Sequence, residues 1–261
     1  LPPMADRWLR KLLGRGISFI GNYKTWDEAA GQCLGYGADT ILDKAFSSTL
    51  KVKRGEAAYE RDSVLFDEVQ YSWPVTASMM LAAARNNGNL HVLDFGGALG
   101  STYFENREFF EAFRKLKWSI VEQPNYVKKG NKYISDGVLN FYETIKEAAE
   151  ENDINCVLLS GVLQYLKDPT GVLQDVCKLD PDLIIINTTF VNSTPRDSFH
   201  IQKIPANIYE ADYPCRSLSE SKLLRQLKPK YNLLSKFDSI SFPALDTINS
   251  ECVGYIFRAK K

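Results

Sequence analysis

The sequence predicts an α/β fold, in which a mostly parallel, seven-stranded sheet carries helices on both faces and follows a helical N-terminal cap. From residue 91 onward, short apolar runs alternate with segments of helical spacing, which is typical of parallel strands joined by crossover helices. The first apolar run ends in a glycine-rich turn, as expected where a buried strand passes into a helix. The seven predicted strands are 91–95, 118–122, 139–142, 154–160, 182–188, 231–238 and 251–258.

The N-terminal third is predicted to be mostly helical, so that the chain divides into a cap, residues 1–90, and a sheet-containing domain, residues 91–261. Thr25 and Glu28 have the spacing of a capping box, in which each side chain bonds a backbone N–H at the start of a helix. Pro74 suits the first turn of another helix, where its missing N–H costs nothing. The helices predicted here are 26–34, 38–50, 63–70 and 75–85.

Helical spacing also fills the gaps between the predicted strands. The stretch 188–213, which contains Pro195 and Pro205, is predicted to be a long loop on the ligand side of the sheet. Long ordered loops in such a place are commonly functional. The remaining predicted helices are 101–116, 124–129, 143–151, 169–179 and 217–228.

Composition excludes several classes of protein. Lys plus Arg and Asp plus Glu both number 32, so no overall basic field attracts nucleic acid, and no nucleic-acid partner is expected. No apolar run approaches the roughly 20 residues of a membrane span. The five cysteines are scattered without a C-x-x-C pair, and no secretory signal is evident, which together favour the cytoplasm. With two histidines and no Cys/His cluster, no metal site is predicted.

The turn after the first predicted strand indicates a nucleotide-like ligand. Glycines there allow the backbone to approach a ligand closely, and the next helix offers unpaired N–H groups. Asp94, Gly96, Ala98 and Gly100 alternate along the chain in a pattern that resembles the D/E-x-G-x-G-x-G loop of class I S-adenosylmethionine-dependent methyltransferases. A dinucleotide motif G-x-G-x-x-G would need glycine at position 98 and glycine or alanine at position 101, where this chain has alanine and serine.

Ligands of an open parallel sheet lie beyond the carboxyl ends of its strands, so the residues there are the candidates for contacting S-adenosylmethionine. Glu122 ends the second strand and is expected to accept hydrogen bonds from both ribose hydroxyls. Asp136 or Glu143 is a candidate for contact with the adenine amino group, and a plain turn at this place is the alternative. Similarity to methyltransferases implies that small residues at 160 and 161 pass next to the sulfonium. It also implies that an arginine of the cap binds the methionine carboxylate. The predicted cofactor-binding residues are Asp94, Phe95, Gly96, Gly97, Gly100, Glu122, Gln123, Asp136, Ser160, Gly161 and Arg61.

Several segments together resemble one family of methyltransferases encoded in bacterial surface-polysaccharide gene clusters, those of the O-antigen and capsule. The resemblance implies a Rossmann-like class I fold, whose final strand runs antiparallel at or near the sheet edge. It also implies methyl transfer to a sugar or glycan-type hydroxyl. One departure is that Asn187-Thr188-Thr189 follows the fifth strand where the family has an aspartate–arginine pair. The matching segments lie within about residues 20–215 and are Gly21–Ala29, Gly35-Tyr36, Ala58–Ser63, Leu93–Gly97, Val121–Pro124, Val162–Tyr165, Ile204-Pro205, Ile208-Tyr209 and Tyr213-Pro214.

His200 and Tyr165 are the predicted catalytic residues. A near-neutral imidazole in the 188–213 loop would accept the proton that an acceptor hydroxyl loses as it attacks, and Asp197 would either orient the ring or merely be solvated. Tyr165 follows the fourth strand and would face the same pocket. Two other functions stay open, namely a nicotinamide-dependent oxidoreductase and a non-catalytic interaction module on the same fold.

A basic amphipathic stretch opens the chain. Arg7, Arg10, Lys11 and Arg15 are interspersed with Trp8, Leu9, Leu12 and Leu13. Such a stretch either makes weak contact with an anionic membrane surface or forms a helix with one buried face.

Overall fold

The computed structural model describes residues 16–33, 38–61, 63–205, 211–239 and 242–260. The strands in these ranges are β1 (Ser18–Tyr23), β2 (Tyr59–Arg61), β3 (Val64–Phe66), β4 (Asn89–Phe95), β5 (Lys115–Val121), β6 (Leu139–Tyr142), β7 (Cys156–Ser160), β8 (Leu183–Asn192), β9 (Ser198–Ile204), β10 (Ala211–Ser219), β11 (Tyr231–Asp238) and β12 (Glu251–Ala259). The α-helices are α1 (Trp26–Ala30), α2 (Ala38–Lys53), α3 (Trp73–Arg85), α4 (Ser101–Asn106), α5 (Pro124–Lys129), α6 (Ile145–Glu151), α7 (Pro169–Lys178) and α8 (Glu220–Leu227). None of the described helices is long and apolar enough to cross a bilayer.

Seven strands form the central part of the sheet in the order β6-β5-β4-β7-β8-β12-β11. The first five are parallel, whereas β12 is antiparallel to both β8 and β11. In this central part, the five parallel strands and the antiparallel final strand agree with the prediction, whereas the sheet as a whole is mixed. Phe95, Val121 and Tyr142 are in register at the carboxyl ends of β4, β5 and β6, and Ser160 pairs with Asn187 at the ends of β7 and β8. The carboxyl ends thus meet at one edge of the sheet.

The predicted number of seven strands is wrong, because ten strands lie in this sheet within the described part of the chain. An antiparallel unit, β1-β9-β10, joins β8 through β10, where Leu218 and Ser219 pair with Val191 and Asn192. This is possible because β8 runs on past the end of β7 and so offers a free edge for pairing. The prediction of a loop at 188–213 is also wrong, because most of its described residues lie in β8, β9 and β10.

The N-terminal part is helical only in places. β1 lies in the sheet, and the predicted helix at 63–70 is instead the hairpin strand β3, paired with β2. α2 and α3 confirm two of the predicted helices, and Thr25 Oγ1 accepts a hydrogen bond from Glu28 N–H (3.2 Å) at the start of the shorter α1. The basic stretch at 1–15 lies outside the described residues. The division of the chain at residue 90 stays a prediction.

Helices cover both faces of the central sheet, as predicted. Alternate residues of each strand face opposite sides, so that Val92 lies in one core and Leu93 in the other. The first core includes Trp118 of β5 and packs against α3, while the second packs against α7 and α8. Each fully buried aliphatic side chain contributes about 1.5–3 kcal/mol to folding. These two cores fix the strand ends that form the candidate site.

Candidate active site

The turn after β4 has a backbone that ordinary side chains rarely adopt. Gly96, Ala98 and Gly100 have φ angles of 74°, 49° and 98°. The Gly96 N–H donates to Val121 O at 2.9 Å, which holds the turn against the end of β5. A Cβ placed on Gly96 would lie 2.5 Å from Cγ2 of Val162. Glycine is therefore required at 96 both by its backbone angle and by its neighbour.

Asp94 lies beneath this turn and is 1% exposed. One of its carboxylate oxygens accepts a hydrogen bond from Trp118 Nε1 at 3.2 Å, and a Cβ on Gly97 would lie 2.5 Å from the same carboxylate. Burial raises the pKa of Asp94 to about 7, the Trp118 bond lowers it, and the charge of Glu122 raises it further. Asp94 is thus placed to hold the turn from below rather than to reach a ligand.

The Asp94→Asn variant is expected to be less sensitive to pH than the wild type. Because the pKa of Asp94 rises on folding, the folded protein keeps a proton between about pH 4 and 7 that the unfolded chain has released, so this group's stabilising contribution is lost as pH rises. Between pH 5 and 8, the free energy of unfolding of the variant should rise by roughly 2–3 kcal/mol relative to that of the wild type, since one pKa unit corresponds to about 1.4 kcal/mol. Urea unfolding across this range measures the difference. Exposed Asp238→Asn is the control, and a pH-independent difference for Asp94→Asn would contradict the assignment.

Glu122 lies where the sequence predicted, at the end of β5 beside the glycine turn. Its carboxylate accepts hydrogen bonds from the backbone N–H groups of Gln123 (2.7 Å) and Ala98. Burial raises the pKa of Glu122, and these two N–H groups lower it. Gln123 is exposed and precedes α5. The structure therefore brings Glu122 and the turn together, which the sequence pattern alone did not show.

A ring of uncharged polar groups lies at the carboxyl end of β7 and beside it on β8. Asn187 Nδ2 donates to Ser160 Oγ (3.1 Å), and Ser239 Oγ donates to Asn187 Oδ1 (3.2 Å) and lies 2.9 Å from Thr188 Oγ1. Gly161 has φ 65°, and a Cβ there would have no neighbour within 4 Å. The ring therefore borders open space beside the predicted methyl-transfer position.

Thr188 is a backbone outlier within this ring. Its φ of 52° is costly for a β-branched residue, and such strain is concentrated at functional sites. Gln164, which is buried, holds the outlier by donating from Nε2 to Thr188 O at 3.0 Å. Sequence reasoning missed the roles of Thr188 and Ser239. The departure at 187–189 was a signal for the first, whereas nothing in the sequence indicated that Ser239 lies next to β8.

Arg61 lies on β2, which crosses the start of α4. The Ser101 hydroxyl donates to Glu60 Oε1, and Arg61 Nε donates to the Tyr59 hydroxyl oxygen at 2.8 Å. Glu105 of α4 also interacts with the positive charge of Arg61. The hairpin therefore carries Arg61 to the helix that follows the glycine turn, and its predicted contact with the cofactor carboxylate stays a prediction.

Asp136 does not lie where its predicted role requires. It precedes β6, at the amino end of that strand, whereas ligands lie beyond the carboxyl ends. Its Oδ1 accepts from the N–H groups of Val138 (3.0 Å) and Leu139 (2.8 Å), and its Oδ2 accepts from the Tyr103 hydroxyl (2.9 Å). Asp136 is therefore a turn residue, and Glu143, just past the carboxyl end of β6, takes its place as the candidate near adenine.

His200 also differs from its predicted setting, because it lies in β9 rather than in a loop and is 4% exposed. Its Nδ1 bonds Gly21 O at 2.7 Å and its Nε2 lies 2.9 Å from Ser198 Oγ, so both ring nitrogens have protein partners. Burial lowers the pKa of His200. His200 ties β1 to β9 and is not placed as a base. Asp197 binds Arg216 (3.1 Å) instead of orienting the imidazole.

Tyr165 is half-buried at the edge of the same region. Its hydroxyl donates to Gln202 Oε1 at 2.8 Å, and its ring packs edge-on against Tyr213 with centroids 5.2 Å apart. Tyr165 therefore packs against the β9-β10 pair. Its catalytic role stays a prediction.

Comparison with known proteins gives only distant structural similarity. No model of a known protein family matches the sequence, and no curated protein matches it. The structure is similar to the N-terminal domain of EvdMO1, crystallised in the presence of SAH and D-fucose (13% identity, 86% of this chain and 98% of that chain, TM-score 0.49). It is also similar to an S-adenosylmethionine-dependent methyltransferase from Clostridium acetobutylicum (12%, 71% and 91%, TM-score 0.46) and to 1,6-didemethyltoxoflavin-N1-methyltransferase from Burkholderia thailandensis (14%, 87% and 92%, TM-score 0.42).

Proposed function

We propose that this chain is an S-adenosylmethionine-dependent methyltransferase of class I. The observation that carries the proposal is the Glu122 carboxylate, which lies at the end of β5 and accepts a hydrogen bond from Ala98 N–H in the glycine turn after β4. A ligand resting on this turn would meet that carboxylate. An acidic group beside a glycine turn suits a ribose diol and repels a phosphate.

The residues present fit this cofactor. A carboxylate has about four lone-pair sites, and the main chain uses two of those on Glu122, which leaves acceptors for two ribose hydroxyls. The space beside Gly161 allows a bulky group to approach the end of β7. Arg61 is the candidate partner for the methionine carboxylate. Phe95, Gly97 and Gly100 would shape the turn without offering side-chain polar groups.

The reaction proposed is an in-line displacement, for which the bound cofactor supplies an electrophilic methyl group. The chain's own contribution is to align the acceptor atom with that methyl group and to exclude water, effects that reach several kcal/mol in well-oriented reactions. Ser160, Asn187, Thr188 and Ser239 provide neutral donors and acceptors that would orient the acceptor. Tyr165 would close the other side of this pocket.

The finer proposal is that the acceptor is a sugar or glycan-type hydroxyl in surface-polysaccharide biosynthesis. The family resemblance supports it, and so does the uncharged polar ring, which suits a neutral hydroxylated molecule. All five cysteines are free thiols, which supports a place in the reducing cytoplasm.

The alternative of a nicotinamide-dependent oxidoreductase is disfavoured by the strand order. The doubly wound dinucleotide fold places a parallel sixth strand beside the fifth. Here the antiparallel β12 separates β8 from β11.

Isothermal titration calorimetry with S-adenosylhomocysteine, S-adenosylmethionine and NADH tests the proposal. We expect micromolar affinity for S-adenosylhomocysteine and no measurable heat with NADH. NADH binding without S-adenosylhomocysteine binding would assign the oxidoreductase function. The absence of binding to all three would leave the non-catalytic interaction module.

A further inference from the structure

We propose that the exposed apolar face of α3 is the docking site for the basic N-terminal segment of this chain, residues 4–15. The inference does not depend on the methyltransferase function. It starts from a helix that is apolar on the outside as well as on the inside.

The α3 face is defined by Trp73, Ala77, Met80, Leu81 and Ala84. Their spacing places them on one side of the helix. Trp73 is 61% exposed and Leu81 38% exposed. The opposite side of α3 packs into the first core. The helix has no charged side chain before Arg85, near its end. A helix that is apolar all round is normally buried on all sides.

Two more aromatic rings extend the α3 face at its amino end. The Tyr71 ring lies 5.0 Å from that of Trp73 and 5.1 Å from that of Phe109, measured between centroids. Single exposed apolar residues are ordinary, whereas a contiguous patch of this kind marks an interaction site.

Acidic side chains border this aromatic end. The Tyr71 hydroxyl donates to Glu108 Oε2 at 3.2 Å, and Glu111 is exposed on the same short helical turn. Asp67 and Glu68 are exposed in the approach to Tyr71. Arg107, which donates to Val52 O, also acts electrostatically on Tyr71 and offsets part of this charge, but the four carboxylates leave the border acidic. The patch therefore suits a partner that is apolar and basic, and its border repels an anionic bilayer.

Residues 4–15 have that chemistry. They carry four cations against one anion, Asp6. Their apolar side chains recur at positions 8, 9, 12 and 13, which is a helical spacing. The fifteen residues before Gly16 span up to about 50 Å when extended, so the segment has ample reach over the molecule. The four cations of the segment are Arg7, Arg10, Lys11 and Arg15.

Hydrogen–deuterium exchange of the full chain, read on peptides within residues 4–15, tests the proposal. In the wild type, amides of this segment should exchange at least tenfold more slowly than in an unstructured peptide. Trp73→Glu should remove that protection, and so should Leu9→Asp. Leu234→Glu is the matched control, because Leu234 is a 41% exposed leucine on β11, and it should change nothing. Leu81→Glu replaces Trp73→Glu if circular dichroism shows that the latter does not fold.

Three results would overturn the proposal. The first is unprotected exchange of residues 4–15 in the wild type. The second is protection that survives both Trp73→Glu and Leu81→Glu. The third is a dimer in light scattering that Trp73→Glu converts to a monomer while residues 4–15 stay unprotected, since a second copy would then cover the α3 face. Loss of protection in 0.5 M NaCl would support the charge complementarity, and unchanged protection would contradict that part of it.

Discussion

Replacing Glu122 by alanine is expected to weaken S-adenosylhomocysteine binding by roughly 10- to 150-fold, which corresponds to about 1.5–3 kcal/mol for lost hydrogen bonds to a charged group. The reason is that the Glu122 carboxylate lies beside the glycine turn with acceptor capacity beyond its two main-chain bonds. Its own burial raises its pKa, so the fold gains little from its charge and should survive its removal.

Calorimetry at pH 8 gives the affinity, and thermal unfolding gives the stability, of wild type, Glu122→Ala and Glu122→Gln. The glutamine variant keeps the shape and one acceptor oxygen, so its loss should be smaller than that of alanine. Glu111→Gln removes an exposed carboxylate and should bind as the wild type does. Wild-type affinity in Glu122→Ala would show that the diol contact is made elsewhere, and an equal fall in melting temperature would show a structural role.

Gly96→Val is expected to abolish measurable cofactor binding while most of the fold remains. The new side chain would be forced into a left-handed backbone with φ 74°, and its Cβ would lie 2.5 Å from Val162 Cγ2. The turn must then shift away from Val162, and the backbone on which the cofactor would lie is displaced. From the sequence, the new side chain is expected to meet the cofactor or the following helix, whereas in the structure the nearest atom to its Cβ belongs to Val162.

A second substitution separates the effect of the contact with Val162 from the effect of backbone strain at Gly96. Val162→Ala should restore part of the binding lost in Gly96→Ala, because it removes the methyl groups that the new Cβ meets. Gly55→Val is the control for backbone strain alone, since Gly55 has φ 76° and no neighbour within 4 Å of a Cβ. Its cofactor affinity should stay within about threefold of wild type. A Gly96→Val protein that binds S-adenosylhomocysteine normally would remove the turn from the proposed site.

Elements whose cause is local could be predicted from the sequence. The bounds of β6, α5 and β11 agree with prediction, because each combines a clear period with a turn or proline signal at its ends. The glycine turn and Glu122 could be predicted for the same reason. Each is recognised from a short stretch of sequence in which an apolar strand ends in glycines or in an acidic residue.

The structure alone decided which distant segments pair. β9 carries the polar side chains His200 and Gln202 on its buried side, so its sequence resembles a loop. In the fold, Gly21 O of β1 bonds the imidazole and the Tyr165 hydroxyl bonds Gln202. Ser239 follows β11, which is two strands away from β8, and its bond to Asn187 depends on the pairing of β12 with both strands. Asp136 precedes the predicted strand 139–142 and Glu122 ends the predicted strand 118–122, and the structure adds the hydrogen bonds that make Asp136 a turn residue. Local periodicity is set by neighbouring residues, whereas strand partners are chosen by burial and hydrogen bonding across the whole chain, and these depend on contacts that no short window contains.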